Sequence, residues 1–246
     1  YNEAYMSKSK IIFLDTETTG NEEKDRLCQL AYKEGSNTFS ELFKPPLPIS
    51  IESSAVCHIT NKMVAGKPSF QDSEHYTAIK SLLESPETVL VAHNAKFDLG
   101  MLAKEDITPA SFICTLRVAR YLDKQNVIPR YNLQYLRYYL EMEIEAQAHD
   151  AMGDVMILEE LFNRLLKKMI DETGDEDSAI NKMIEVSSHP SLLHTISFGK
   201  YNGQKIKDIA NTDRAYLEWL LREKLKSEAD EEDWIYTLKD ALGQNM

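Results

Sequence analysis

Two acidic residues lie two positions apart at the end of an apolar run. Asp15 and Glu17 follow the residues Ile-Ile-Phe-Leu at 11–14, with Thr16 between them. In a strand, residues two apart project from the same face, so the two carboxylates would lie together. A divalent cation such as Mg²⁺, which prefers oxygen ligands, would stabilise that pair. The alternative at this point is a solvated strand end before a glycine turn.

Two later segments supply further candidates. Asp98 ends the sequence HNAKFD, which follows an apolar run and begins a predicted helix. His149 and Asp154 bound the sequence HDAMGD, at the start of a long amphipathic pattern. Taken singly, each acid is typical of a helix N-terminus, where the helix dipole favours negative charge, and His149 is typical of a surface histidine.

The periodicity of apolar residues predicts the elements that position these side chains. Strands first paired by hairpins and then alternating with helices indicate an α/β fold with a mixed five-stranded sheet flanked by helices. The predicted strands cover 10–14, 27–33, 38–43, 89–92 and a short stretch from 112; the predicted helices cover 71–83, 95–104, the segment up to 122, 132–140 and 151–170.

The C-terminal quarter differs in pattern from the rest. We expect residues 8–170 to form one domain, 171–190 an acidic linker and helix, and 191–246 a small hairpin-and-helix module, with helices near 214–225 and 233–242. Asn202-Gly203 lies between strand-like runs and predicts the hairpin. This segment carries aromatic and basic residues that would either grip nucleic acid or serve only as core and solvated surface: Phe198, Lys200, Tyr201, Lys205 and Lys207.

Composition indicates a globular chain. The 246 residues carry a net charge of −12, but ten of the acids form two runs near 171–177 and 228–233, so the remainder is near −2 and the total does not exclude a nucleic-acid partner. Three widely spaced cysteines predict reduced core thiols. Neither a bilayer-length apolar run nor a secretory signal is recognised, so we expect no membrane partner and a cytoplasmic location, with Met6 a candidate native start.

Three motifs in order, DTETTG, HNAKFD and HDAMGD, resemble those of the DEDDh class of the DnaQ-like 3′-5′ exonuclease superfamily. This resemblance covers roughly residues 8–170. Segments outside the motifs, including HITNKMV at 58–64 and the tail from 190 to 221, are similar to the bacterial exodeoxyribonuclease X family.

The resemblance implies an RNase H-like fold and metal-dependent hydrolysis of the 3′-terminal phosphodiester, with release of nucleoside 5′-monophosphates. It implies two Mg²⁺ ions, with Mn²⁺ as a substitute. Asp15, Glu17 and Asp154 would hold the first ion. Asp15 would also touch the second, and Asp98 would act mainly through water. His149 would be the general base, for which an unperturbed pKa of about 6.5 is suitable.

The resemblance also implies partners and substrate contacts. Thr18, Thr19, His58, Asn94 and Phe97 are candidate contacts of the terminal nucleotide, although Phe97 would equally suit the core and Asn94 a helix cap. The expected partner is a DNA 3′ end, single- or double-stranded, in repair or proofreading. A homodimer is left open, because relatives include dimers. The alternatives are a 3′-5′ exoribonuclease on the same fold and an inactive module that binds nucleic-acid ends.

Overall fold

The computed structural model describes residues 9–144, 151–227 and 231–244. The chain divides into two compact units. The first comprises Tyr1–Ala119 and Arg130–Ser187, and the second comprises Arg120–Pro129 and Ser188–Met246, in each case within the described residues.

A five-stranded mixed sheet forms the centre of the first unit, as predicted. Its strands are β1 (Lys10–Thr18), β2 (Leu27–Glu34), β3 (Asn37–Leu42), β4 (Thr88–Ala92) and β5 (Phe112–Cys114). They lie in the order β3-β2-β1-β4-β5. The pairs β1–β2 and β2–β3 are antiparallel, which confirms the predicted meander, whereas β1–β4 and β4–β5 are parallel.

The central strands are apolar because helices cover both faces of the sheet. Ile12, Phe13 and Leu14 are consecutive in β1, and all three are buried. All five residues of β4 are buried as well. The apolar run that ends at Leu14 is therefore part of a core strand, and the half-buried Asp15 and Glu17 follow it.

Before residue 189, the described parts of the chain form eight helices. They are α1 (Ile51–Cys57), α2 (Asn61–Val64), α3 (Tyr76–Leu83), α4 (Lys96–Ala103), α5 (Thr115–Leu122), α6 (Leu133–Tyr139), α7 (Ala151–Thr173) and α8 (Glu176–Ser188).

The structure corrects the predicted helices at two places. The pattern predicted helix from residue 71, but α3 begins at Tyr76, because Ser69 and Ser73 hold the preceding residues in turns. Helices α1 and α2 were not predicted. Only Cys57 in α1 and Val64 in α2 are buried, so neither helix carries a periodic apolar stripe.

Helix α7 confirms the strongest predicted helix. Its buried residues recur at helical spacing and include Val155, Leu158, Leu161, Phe162 and Leu165. The helix lies against β1 and β2.

The acidic run at 171–177 lies at the junction of two helices. It comprises the end of α7, a short turn in which Gly174 has a φ of 98°, and the first turn of α8. Ser187, near the end of α8, is completely buried; its hydroxyl accepts a hydrogen bond from the Cys114 amide at 2.7 Å. The guanidinium of Arg117 donates to the Ser187 carbonyl at 2.7 Å. The first unit therefore continues through Ser187, beyond the predicted boundary.

The second unit is a small helical module with its own core. It contains α9 (Ile206–Thr212), α10 (Arg214–Lys224) and α11 (Glu232–Ala241), with 3₁₀ turns at Gly199–Tyr201 and Leu225–Ser227. The core is formed by apolar side chains from all three helices and the segment before them: Ile196, Ile206, Ile209, Leu217, Leu220, Leu221, Ile235, Leu238 and Leu242.

The predicted hairpin is reduced to one antiparallel bridge, between Thr195 and Lys205. Gly203 turns the chain there with a φ of 82°. The run after it, interpreted as strand-like, is helix α9, because Ile206 and Ile209 are three residues apart and both face the core.

The sequence predicts that the three cysteines are reduced thiols in the core. Cys28, Cys57 and Cys114 are buried free thiols, which confirms that prediction. None of the helices within the described ranges combines the length and apolar character needed to cross a bilayer.

Candidate active site

Three carboxylates from two distant segments meet at the end of β1. Asp15, Glu17 and Asp154 each offer a ligand oxygen, and these atoms lie within 4.8 Å of one another. Asp15 and Glu17 are half-buried, whereas Asp154 is buried. We call these residues the three-acid cluster.

Strand alternation and helix packing bring the cluster together. Phe13, Asp15 and Glu17 project from the same face of β1, against which α7 lies. The rings of Phe13 and Phe162 make an edge-to-face contact with centroids 5.3 Å apart. Asp154 lies eight residues before Phe162, about two turns earlier on α7, so the same packing carries it to the strand end.

A glutamine that the motifs did not reveal orients the buried acid. The Nε2 of Gln134, on α6, donates to Oδ1 of Asp154 at 2.6 Å. The side-chain oxygen Oε1 of Gln134 in turn accepts a hydrogen bond from the Arg137 guanidinium at 3.5 Å. This amide therefore restricts the orientation of the one cluster member that comes from a helix.

The fourth predicted acid, Asp98, lies beside the cluster and is not a member of it. Its Oδ1 accepts from the Thr16 amide at 3.1 Å and from the Thr16 hydroxyl at 2.7 Å. The pairing of β1 with β4 ends at Phe13, before Thr16 is reached. Asp98, on the helix that follows β4, therefore accepts the hydrogen bond that the Thr16 amide donates on this side of β1. Burial raises the pKa of the Asp98 carboxyl to about 7, and the bonds from Thr16 oppose that effect.

The donor set of the cluster fits a hard divalent cation. Three carboxylates at such separations repel one another unless positive charge lies between them, and oxygen ligands suit Mg²⁺ and Mn²⁺. Neither sulfur nor imidazole belongs to the cluster as the described residues form it.

A cleft borders the cluster on the side of Glu17. It is walled by the loop after β1, by residues of α1 and by Phe97: Thr16 to Glu22, Lys24, Asp25, Ser50, Glu52, Ser53, Val56, Cys57 and Phe97. We call this the nucleotide cleft, because three predicted contacts of the terminal nucleotide, Thr18, Thr19 and Phe97, line it.

The loop after β1 is built around a buried aspartate. Asp25 accepts from the Thr19 hydroxyl at 2.7 Å and from the Glu22 amide at 2.8 Å. At Gly20, an added Cβ would lie 2.3 Å from Oδ2 of Asp25, so glycine is required for this close approach. The glycine of DTETTG is thus explained by packing within the loop.

The structure narrows the roles predicted for Thr18 and Thr19. The Thr18 hydroxyl donates to the Gly20 carbonyl at 2.7 Å, and the Thr19 hydroxyl donates to Asp25. Both hydroxyl protons are therefore used inside the loop. Both residues line the nucleotide cleft, so any contact that they make with substrate would be made as part of the cleft wall.

The remaining candidate contacts differ in position. Phe97 is half-buried and lines the nucleotide cleft, so it is not a pure core residue. Asn94 is exposed with a φ of 60°, and it is Ala95 that caps α4. His58 is exposed at the C-terminus of α1 with a φ of 60° and is not among the described residues that line the cleft. Their roles stay predictions.

His149, the predicted general base, lies outside the described residues. Thr16, Gln134 and Asp25 were missed as positioning residues. Thr16 is the second residue of DTETTG, but its contact with Asp98 spans 82 positions of the chain. Gln134 and Asp25 are recognisable only by their partners in the folded chain.

The aromatic and basic residues of the second unit divide between core and surface. Tyr201 packs against that core, and its hydroxyl donates to Asp213 at 2.6 Å. Lys200 also pairs with Asp213, at 3.0 Å. Phe198 is 37% exposed and contacts Trp234 edge to face. Three of the five residues thus have side-chain partners within the module.

Comparisons with known proteins agree over both units. A family model described as exonuclease matches residues 12–162, and one described as exodeoxyribonuclease X-like C-terminal matches residues 196–224. Exodeoxyribonuclease 10 of Escherichia coli strain K12 is 31% identical over 191 residues, which cover 75% of this chain and 76% of the relative. DNA polymerase III subunit epsilon of Treponema pallidum is 31% identical over 190 residues, covering 70% of this chain and 85% of the relative.

Solved structures show the same likeness. Exonuclease X in complex with 5′-overhanging duplex DNA has a TM-score of 0.57 at 27% identity and covers 72% of this chain and 99% of that chain. An E. coli ExoI–ssDNA complex has a TM-score of 0.56 at 21% identity, covers 67% of this chain and 43% of that chain, and shows likeness of fold.

Proposed function

The chain belongs to the exonuclease family, among the 3′-5′ exodeoxyribonucleases, and we propose that it removes nucleoside 5′-monophosphates one at a time from the 3′ end of DNA. The family match confirms the resemblance of the three motifs, and the mixed sheet is the RNase H-like fold that it implied. The observation that carries the proposal is the three-acid cluster beside the nucleotide cleft.

The reaction is hydrolysis of one phosphodiester bond. A water oxygen forms a bond to the terminal phosphorus while the bond to the 3′ oxygen of the penultimate nucleotide breaks, and that oxygen leaves as a hydroxyl. Two bound Mg²⁺ ions would stabilise the attacking and leaving oxygens of this in-line displacement.

Each protein group has a proposed part. Asp15, Glu17 and Asp154 would hold the cations, and Asp98 would act from beside the cluster through water. His149 takes the proton of the attacking water. Gln134 orients Asp154, and the walls of the nucleotide cleft receive the terminal nucleotide.

DNA is preferred to RNA as substrate because of the relatives. Exodeoxyribonuclease 10 is named for DNA, and the solved exonuclease X holds duplex DNA. The resemblance of the C-terminal residues to the exodeoxyribonuclease X-like module extends this agreement to the second unit. A cytoplasmic role in repair or proofreading belongs to the proposal, and a homodimer stays a prediction.

A degradation assay tests the function. DNA and RNA of matched sequence, labelled at the 5′ end, are incubated with Mg²⁺ or EDTA, and wild type is compared with Asp15→Asn and His149→Ala. Asp177→Asn is the matched control, because Asp177 is an exposed acid in the first turn of α8. We expect a Mg²⁺-dependent ladder on DNA that Asp15→Asn and His149→Ala reduce by several orders of magnitude and that the control retains.

The alternatives give different results. A strong ladder on RNA with little cleavage of DNA would show that the protein is a 3′-5′ exoribonuclease. Binding of DNA ends without cleavage by the wild type would favour the inactive end-binding module. Equal cleavage by wild type and Asp15→Asn would refute the assignment of the cluster.

A further inference from the structure

Helix α6 presents an aromatic surface to solvent. Tyr138 is 74% exposed and Tyr139 is 43% exposed, whereas Leu136, between them and the start of the helix, is completely buried and anchors the helix. A shallow recess here is lined by Arg130, Asn132, Gln134, Tyr135, Tyr138 and Tyr139, which we call the α6 surface. Contiguous exposed aromatic residues of this kind mark interaction sites.

The rings on this surface are held in place by their neighbours. Tyr135 and Tyr139, four residues apart on the helix, stack with centroids 5.9 Å apart and an interplanar angle of 21°. The guanidinium of Arg137 lies 5.4 Å from the centroid of the Tyr138 ring. A surface whose rings are already ordered loses little conformational entropy when a flat ligand stacks on it.

The α6 surface and the nucleotide cleft reach the three-acid cluster through different members of it. Glu17 lines the cleft, whereas Asp154 is bonded to Gln134, which lines the α6 surface. The ligand oxygens of the two acids lie within 4.8 Å of each other. A strand with its terminal nucleotide in the cleft and its last phosphodiester at the cluster would therefore continue toward α6.

The chemistry of the α6 surface matches a nucleic-acid strand. Arg130 is exposed and, within the described ranges, makes no ion pair, so its guanidinium is available to a phosphate. Aromatic faces stack on any base and give affinity without sequence preference. The apolar area here comes from tyrosines with polar tips, beside Asn132 and Gln134, which suits a wet and polar ligand.

We propose that the α6 surface is a stacking platform for single-stranded nucleic acid, which takes the nucleotides on the 5′ side of the bond to be cut. The proposal rests on the proposed function, because the direction of the strand follows from placing the scissile bond at the cluster. It adds a binding site to that function and predicts that affinity grows with single-strand length.

Binding of labelled oligodeoxynucleotides in EDTA tests this without turnover. Fluorescence anisotropy compares a dinucleotide with a longer single strand of the same 3′ sequence, for wild type, Tyr138→Ala/Tyr139→Ala and Tyr138→Phe/Tyr139→Phe. Truncating a stacking aromatic costs about 5-fold to 150-fold in affinity per base. We expect the alanine variant to lose a factor in this range on the long strand and much less on the dinucleotide, and the phenylalanine variant to restore binding.

A second measurement separates the platform from the catalytic site. For each variant, kcat/KM on the long strand is divided by kcat/KM on thymidine 5′-monophosphate p-nitrophenyl ester, which has no nucleotide on the 5′ side. A ratio that falls at least about fivefold in the alanine variant supports the platform.

If the alanine variant has the same length-dependent binding and the same kcat/KM ratio as wild type, the platform is refuted. The exposed tyrosines would then serve a partner other than single-stranded nucleic acid. Wild-type protein that cleaves neither DNA nor the ester would refute the proposed function instead. The anisotropy comparison would then still decide whether the tyrosines bind single strands.

Discussion

The hydrogen bond from Gln134 to Asp154 predicts how tightly the three-acid cluster binds a cation. The donor and acceptor are 2.6 Å apart, and the bond is partly buried. Gln134→Met keeps a side chain of similar length and removes the donor. The Asp154 carboxylate then loses this hydrogen bond, and one of the three ligands is oriented less tightly before the cation arrives.

The expected magnitude follows from the kind of bond. A hydrogen bond to a charged group contributes about 1.5–3 kcal/mol, and partial exposure places this one near the lower value. At 1.36 kcal/mol for each factor of ten, about 1.5 kcal/mol corresponds to a Kd for Mg²⁺ weakened about tenfold. Loss of a group that orients a metal ligand typically weakens affinity by about 10- to 100-fold, which agrees.

Calorimetric titration of Mg²⁺ into DNA-free protein measures this Kd directly. Gln71→Met is the matched control, because Nε2 of Gln71 contacts Oδ2 of Asp106 at 3.5 Å on the exposed surface. Thermal unfolding in EDTA shows whether each variant is folded. A folded Gln134→Met variant with the Kd of the wild type would refute the argument that Gln134 orients the cluster.

Two further predictions concern the loop after β1 and the second unit. Gly20→Ala places a Cβ 2.3 Å from the buried Asp25 carboxylate and should lower the free energy of unfolding by about 1–3 kcal/mol. Gly100→Ala, on a helix with open space around the added Cβ, should raise it by about 0.5–1 kcal/mol. Urea unfolding measures both changes, and the opposite ranking of the two variants would contradict the loop geometry. The hydrogen bond from Tyr201 lowers the pKa of Asp213 below 3.8, so Asp213 contributes stability above that pH that is lost on acidification. Wild type should therefore lose more stability than Asp213→Asn as the pH falls below 3.8 through the lowered pKa of Asp213, and equal losses would show that the carboxylate contributes nothing.

Local patterns were sufficient to predict the sheet and the paired acids. The apolar run in β1 and the helical spacing in α7 depend on burial of one face, which leaves a periodic record in the chain. The period of a strand alone places Asp15 and Glu17 together, and in the structure their ligand oxygens lie within 4.8 Å of that of Asp154. These predictions concern residues whose neighbours are set by their own element.

The features that the sequence did not predict depend on partners elsewhere in the folded chain. The Asp98 carboxylate accepts a hydrogen bond from the hydroxyl of Thr16, which lies 82 residues earlier, and no local pattern at either residue records that contact. Gln134 and Asp154 are 20 residues apart and lie on different helices. The run after Gly203 was interpreted as strand-like, and it forms a helix because the module core lies on one side of it.

The polarity of degradation tests the central claim most directly. Single-stranded DNA is labelled at the terminal nucleotide of either the 3′ or the 5′ end and digested with wild-type protein and Mg²⁺. The account predicts that the 3′ label is released first, as a labelled nucleoside 5′-monophosphate, while the 5′ label stays on a shortening ladder. First release of the 5′ label, or internal fragments with both labels retained on long products, would contradict it.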